Sequence, residues 1–341
     1  MTAPTVGQAT LELAELEAAI AAALQASNVS AVNAACVARA LAAAEAEGQT
    51  GHGLSRVPSY AAQARSGKVD GHAVPTAQQT RPGSLSIDAR HGFAYPALDL
   101  ALARLPELAR ASGIAAAAIT RSHHFGVAGQ PCERLAALGL VALAFGNTPS
   151  AMSAWGGRRG LLGTNPIAFA APCRGRPPII VDLALSEVAR GRVLTAAQKG
   201  EAIPAGWALD EHGEPTTDAR AALKGTLLPS GGAKGAALAL MVEVLAAALT
   251  GASFAFEASS FFEAEGAPPS VGQLLLAIDP GAFPGGPGFA DRAGLLAAAI
   301  EQDTGARVPG ARRQALRARA LREGVTVDGR LLDEVRAIAR A

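Results

Sequence analysis

Residues 167–183 read IAFAAPCRGRPPIIVDL, and the fold class turns on this stretch. Two short apolar runs, 167–171 and 179–183, flank a connection made of Pro, Cys, Arg and Gly. Runs of this length, rich in β-branched and aromatic residues and bounded by turn formers, read as strands. The connection over 172–178 is too short for the crossover that parallel neighbours require, so the pair is antiparallel.

Working outward, further β-like runs lie at 85–88, 114–120, 140–145 and 274–278. Helical patterns sit between them at 96–112, 131–137, 187–199 and 234–250. The class is therefore α/β, or mixed α+β, built on a mixed sheet. Before residue 74 the texture is helical, with no strand signal. A first helix over 10–24 carries Leu11, Leu13, Leu16, Ile20 and Leu24 on one period. A second runs from Ser30, an N-cap type, to Glu47 and is stopped by Gly48 and Gly51. A third covers 54–65. Residues 291–341 read as two basic amphipathic helices. The spacing divides the chain into a helical N-terminal part (1–75), a sheet-based part (76–290) that would bind cofactor and substrate, and C-terminal helices (291–341) that pack back on the first part.

Composition narrows the function. The net charge of +1 supplies no basic field for nucleic acid or an anionic membrane, and 4% aromatics supply no stacking platform for bases. Cys36, Cys132 and Cys173 are far apart, which argues for reduced thiols and a cytoplasmic location. No signal peptide is expected. The apolar run 236–256 approaches spanning length, but Glu243 near its middle makes a buried core helix the better reading.

Several segments could carry chemistry. In Gly51-His52-Gly53-Leu54-Ser55-Arg56, a histidine between glycines is open to a ligand and titrates near neutrality. Arg56, one helical turn on, can fork onto a carboxylate. His123-His124-Phe125-Gly126-Val127-Ala128 ends a strand and leads into a helix whose free N–H groups can face a phosphate. Adjacent histidines on a strand point opposite ways, so no metal is assigned. Gly163-Thr164-Asn165-Pro166, the Gly-rich entry to a helix with Lys234, and Arg307-Val308-Pro309-Gly310-Ala311-Arg312-Arg313 complete the set. Neither GxGxxG nor a P-loop is present, so a dinucleotide would not bind through the usual Rossmann turn.

Taken in order, His52-Gly53 with Arg56, the His124-Phe125-Gly126 loop, Gly163-Thr164-Asn165-Pro166 and Gly232-Ala233-Lys234-Gly235 resemble the malate/L-lactate dehydrogenase family that lacks the Rossmann fold. Residues 203–208 with 213–218 add to the likeness, which covers roughly residues 11–313. The resemblance implies a largely antiparallel sheet flanked by helices, a helical N-terminal part and a homodimer. It implies His52 as proton donor and Arg56, Thr164, Arg190 and Gly191 around the substrate. It implies NADPH, with NADH possible, held by His124, Phe125, Gly126, Val127, Ala128, Asp182, Leu183, Ala184, Lys234 and the 307–313 turn, whose arginines would accommodate a 2′-phosphate.

Within that family the chain looks most like the Δ1-piperideine-2-carboxylate/Δ1-pyrroline-2-carboxylate reductases, which implies reduction of a cyclic α-imino acid. Two positions depart from that branch. Gly51 stands where a Ser is expected before the His, and Arg192 stands where an Asp is expected after Arg190-Gly191. A Ser–His–Asp relay is therefore not carried over. Arg192 points instead to the alternative, a 2-hydroxyacid dehydrogenase of malate, lactate, sulfolactate or ureidoglycolate type. A third reading, motivated by Gly51, is a degenerate binding protein without turnover.

Overall fold

The computed structural model describes residues 7–341, so the first six residues of the expected 1–75 part lie outside the described residues. Its centre is a seven-stranded sheet of β1 (Thr76–Arg81), β2 (Ser84–Asp88), β3 (Ile114–Ser122), β4 (Val141–Gly146), β5 (Ile167–Ala171), β6 (Ile179–Leu183) and β7 (Val271–Ile278). The spatial order is β1-β2-β3-β7-β4-β5-β6. Only β2 and β3 pair in parallel, and they are bridged by the helix Ala94–Ser112. The pair read from 167–183 is antiparallel, with Phe169 opposite Val181.

Strand periodicity sorts the side chains into two cores. Ala115, Ala117 and Ile119 of β3 face one, with Ala142, Ala168, Leu275 and the N-terminal helices. Ala116 and Ala118 face the other, with Phe145, Leu274 and the helix Ala233–Glu243. Alanine at so many inward positions lets helices approach both faces closely.

The ends of the chain differ from expectation. Gln8–Leu11 is a strand, paired antiparallel with Val325–Asp328, and the first helix spans Leu13–Gln25. The tail holds three helices, Phe289–Gln302, Ala311–Glu323 and Gly329–Ile338, rather than two. A two-stranded pairing across the whole chain leaves no local pattern to read. β1 also went unread, because its TAQQTR sequence is mostly polar and exposed. A small five-stranded sheet of two- and three-residue strands lies beside the second core.

Among the described residues no helix is long and apolar enough to cross a membrane. The apolar run instead forms the helix Ala233–Glu243 and a π turn, Val244–Ala248. One face is buried, but Leu240 (57% exposed) and Leu249 (63%) show that the opposite face is not. Glu243 is buried and acts as a hub. Its carboxylate accepts from Asn147 Nδ2 (3.1 Å), Asn165 Nδ2 (2.7 Å) and the Ala255 N–H (2.6 Å). Asn147 follows β4 and Asn165 precedes β5, so this one side chain joins two loops at the sheet's end. Glu243→Leu would strand three buried donors and should lower unfolding free energy by roughly 3–5 kcal/mol in urea titration, with Glu243→Gln losing less. Equal stability of Glu243→Leu and wild type would remove the hub role.

Candidate active site

The loop that carries His52 and Arg56 begins where the helix Ala31–Ala46 ends. Gly48 (φ +73°) turns the chain, and two single 3-10 turns, Thr50–His52 and Leu54–Arg56, lead into the helix Val57–Ser66. Glu45, buried at the end of the preceding helix, accepts from the Leu54 N–H at 2.7 Å. A Cβ on Gly53 would come within 2.5 Å of that carboxylate, so glycine is needed for the loop to close on it. Burial pushes the Glu45 carboxyl up to about 7, against the pull of the Leu54 N–H.

His52 and Arg56 line one cleft of about 1540 Å³, larger than a typical small-molecule pocket. Arg56 Nε donates to the Gly51 carbonyl (2.7 Å), and Phe262 covers its guanidinium at 5.2 Å. His52 Nδ1 lies 3.2 Å from His124 Nε2, His124 Nδ1 lies 2.5 Å from the Tyr60 hydroxyl, and that hydroxyl lies 3.2 Å from the Tyr95 hydroxyl. This chain supplies an orienting partner where Gly51 and Arg192 leave no Ser or Asp. Its polarity can run either way. With Tyr60 donating to His124 Nδ1, the His52 proton sits on Nε2; with the chain reversed, His52 Nε2 presents a lone pair. Burial first, then the Arg56 charge, pulls His52 down to about 4 and His124 well below its usual range, so both imidazoles are neutral at pH 7.

The neighbouring His123 is buried among Tyr60, Phe93 and Phe261, and neither ring nitrogen has a partner among the described residues. Gly126 (φ +68°) lets the 125–128 loop pass the Tyr95 hydroxyl, which a Cβ would meet at 2.7 Å. Thr164 lines the cleft and its N–H donates to Thr148 Oγ1 (2.9 Å), across the two loops that Glu243 joins.

The residues expected around a cofactor divide. His124 through Ala128 and Asp182 through Ala184 line the main cleft. Pro309, Gly310, Arg312 and Arg313 line an adjoining cavity of about 450 Å³, and the two share Gly48, Gln49, Asp182 and Leu183. An elongated ligand with an anionic far end fits these residues. Two expectations are corrected. The helix Gly129–Ala137 does not offer its first N–H to a phosphate, because Asp182 Oδ2 already accepts from Gly129 at 2.8 Å. Arg313 is largely committed to carboxylates: it is buried between Asp182 (2.9 Å) and Glu47 (3.3 Å), and only its Nη2 lacks a partner among the described residues. Arg312, exposed, keeps the potential to meet a phosphate. Arg307 and Lys234 are exposed, Val308 is buried, and none of these, nor Ala311, lines either cavity.

At the opposite end, Arg190, Gly191 and Arg192 line the cleft at the start of the helix Arg190–Lys199. Arg190 Nη2 is tied to the Leu223 carbonyl (3.0 Å), whereas Arg192 stacks over Trp207 at 5.4 Å and makes no ion pair among the described residues. Sequence reasoning did not single out Tyr60, Tyr95, Phe261 and Phe262, which pack around the histidines and Arg56. Nothing in their spacing could have signalled this, since each meets the histidines or Arg56 only through tertiary packing.

The family model described as malate/L-lactate dehydrogenase matches residues 11–336. The chain is 53% identical over 330 residues to a (2R)-3-sulfolactate dehydrogenase (NADP(+)) of Chromohalobacter salexigens, covering 96% of this chain and 98% of that protein. It is 41% identical over 333 residues to a Δ1-pyrroline-2-carboxylate/Δ1-piperideine-2-carboxylate reductase of Pseudomonas putida, covering 96% of each. The crystal structure of Δ1-piperideine-2-carboxylate reductase from Pseudomonas syringae superposes with a TM-score of 0.91 at 39% identity, covering 97% of this chain and 99% of that one. On sequence and fold alike, the chain belongs to the malate/L-lactate dehydrogenase family of oxidoreductases.

Proposed function

We propose that this oxidoreductase interconverts a 2-hydroxy acid and its 2-oxo acid with NADP(H), the acid carrying a second anionic group. One observation carries the choice of substrate: Arg192, stacked on Trp207, is a second cation in the same cleft as Arg56. The 53% relative, named as an NADP(+)-dependent sulfolactate dehydrogenase, supports this alternative over the cyclic-imine reduction first expected. The imine reading keeps one specific support, the 41% relative named for that reaction.

The bound nicotinamide supplies or accepts the hydride. Arg56 holds the carboxylate next to the reacting carbon through its Nη groups, because Nε is occupied by Gly51. Arg192 takes the second anion. In oxidation, neutral His52 accepts the hydroxyl proton on Nε2 while His124 holds Nδ1. In reduction the proton returns along the same contact. Thr164, the His124–Ala128 loop and Asp182–Ala184 line the space left for substrate and cofactor.

The outer face of the Ala233–Glu243 helix and its π turn presents Leu238, Leu240, Met241, Val244 and Leu249, with Lys234 at the start of the helix as its one exposed charge. A contiguous apolar face of this kind is rare on monomers, and a second copy of the chain is the proposed occupant. Light scattering should give twice the chain mass, and Leu240→Glu should give a monomer; a monomeric wild type overturns the dimer.

NADPH oxidation with sulfopyruvate, oxaloacetate, pyruvate and Δ1-pyrroline-2-carboxylate tests the substrate. The dianions should give the highest kcat/KM, and Arg192→Met should lower it for them by about 10–100-fold with pyruvate little changed, the scale of losing one charge-assisted hydrogen bond. A preference for the imine would overturn the reading. Because a base must be unprotonated and burial holds His52 near 4, kcat/KM for hydroxy-acid oxidation should stay level on acidification and fall only as pH nears 4. His52→Ala should lower kcat by roughly 10²–10⁴-fold. An inflection at the ordinary imidazole value would remove the burial-lowered pKa, and a near-wild-type variant speaks against His52 as the base.

A further inference from the structure

The helix Val57–Ser66, which continues directly from the His52–Arg56 loop, grips a stretch nearly two hundred residues away in sequence. Residues 258–265 form neither helix nor strand. Their carbonyls are instead taken up by side chains. Gln63 Nε2 donates to Phe261 and Glu263 (both 2.9 Å), and Ser66 Oγ donates to Ala264 (2.6 Å). Lys68, just beyond the helix and only 2% exposed, donates through Nζ to Ser260 (2.8 Å), Glu263 (3.0 Å) and Glu265 (3.1 Å).

A buried ammonium is costly unless its protons are matched, and a backbone without ladder partners is costly unless its carbonyls are matched. Here each requirement meets the other, so the wall and the lysine are held together. The wall then presents two aromatic rings to the cleft. Phe261 lies 5.3 Å from His124 with the rings edge to face, and Phe262 lies 5.2 Å from the Arg56 guanidinium. Phe262 is a lining residue, half exposed before any ligand enters.

We propose that Phe262 is a specificity-determining residue for the carboxylate end of the substrate, and that Lys68 and Gln63 are the positioning residues that hold it over Arg56. A ring on one face of the guanidinium excludes water there and, with Nε pinned to Gly51, leaves the in-plane Nη edge as the donor for a carboxylate. The wall therefore selects for a planar anion, a carboxylate, that approaches edge-on. This inference rests on the proposed hydroxy-acid reading of the same cleft.

Steady-state kinetics of full-length Phe262→Leu and Phe262→Tyr with NADPH and sulfopyruvate, oxaloacetate and Δ1-pyrroline-2-carboxylate provide the test. Phe262→Leu should raise KM for the acceptor by about three- to thirty-fold, the scale of one cation–π contact, and lower kcat by less. Phe262→Tyr should restore KM. NADPH affinity, read by fluorescence titration, should not move in either. Lys68→Met should raise KM in the same direction; if it fails to fold, the Phe262 pair still decides. An unchanged KM in Phe262→Leu with an active wild type overturns this inference alone, as does an equal loss in Phe262→Tyr. A wild type that turns over none of the acceptors takes the functional reading down with it.

Discussion

A buried ion network ties the His52 loop to the C-terminal helix, to the end of β6 and to the helix after the His124 loop. Glu47, at the end of the second helix, pairs with Arg313 (3.3 Å) and Arg317 (3.1 Å) of a C-terminal helix. Arg313 reaches on to Asp182 at the end of β6, and Arg317 pairs with Glu133 on the helix that follows the His124 loop. Glu47 is only five residues before His52, so the loop carrying the imidazole is bolted to the strand end that lines the proposed cofactor path. Buried pairs of this kind contribute geometry more than net stability, because the cost of desolvating the charges offsets much of their attraction. Removing one partner is another matter, since it leaves the remaining charge buried and unmatched.

That geometry explains why the chain can lack a Ser–His–Asp relay and still orient its histidine. The His52 ring meets His124, and His124 meets Tyr60, in a buried stack where each ring nitrogen used has one neighbour. Two neutral imidazoles and two phenols form a chain that can reverse its polarity without burying a net charge. A carboxylate partner would instead favour the imidazolium. The observed arrangement keeps His52 neutral near pH 7.

Much of the fold was open to local reading. The two strands at 167–171 and 179–183, the helix that Ser30 caps, and the close spacing of His52 and Arg56 all depend on neighbours within a few residues. The site was legible in part: His52, Arg56, Thr164 and the His124–Ala128 loop line one cleft. Other elements were not. The C-terminal arginine turn read as a phosphate site, yet Arg313 closes a buried network instead. Lys68 read as nothing at all, because a lysine that solvates carbonyls nearly two hundred residues away looks in sequence like any surface lysine.

The amino-acid order alone determined the mixed sheet, the absence of a Rossmann turn and the pairing of an imidazole with a guanidinium on one short loop, since these follow from periodicity, turn chemistry and spacing. Tertiary structure decided which groups partner that imidazole, which arginine is spent on ion pairs and which remains for a ligand, and what covers Arg56. Those outcomes depend on burial and on contacts between segments far apart in the chain, and the energy of a charge or a hydrogen bond is set by the surroundings that only the folded chain creates.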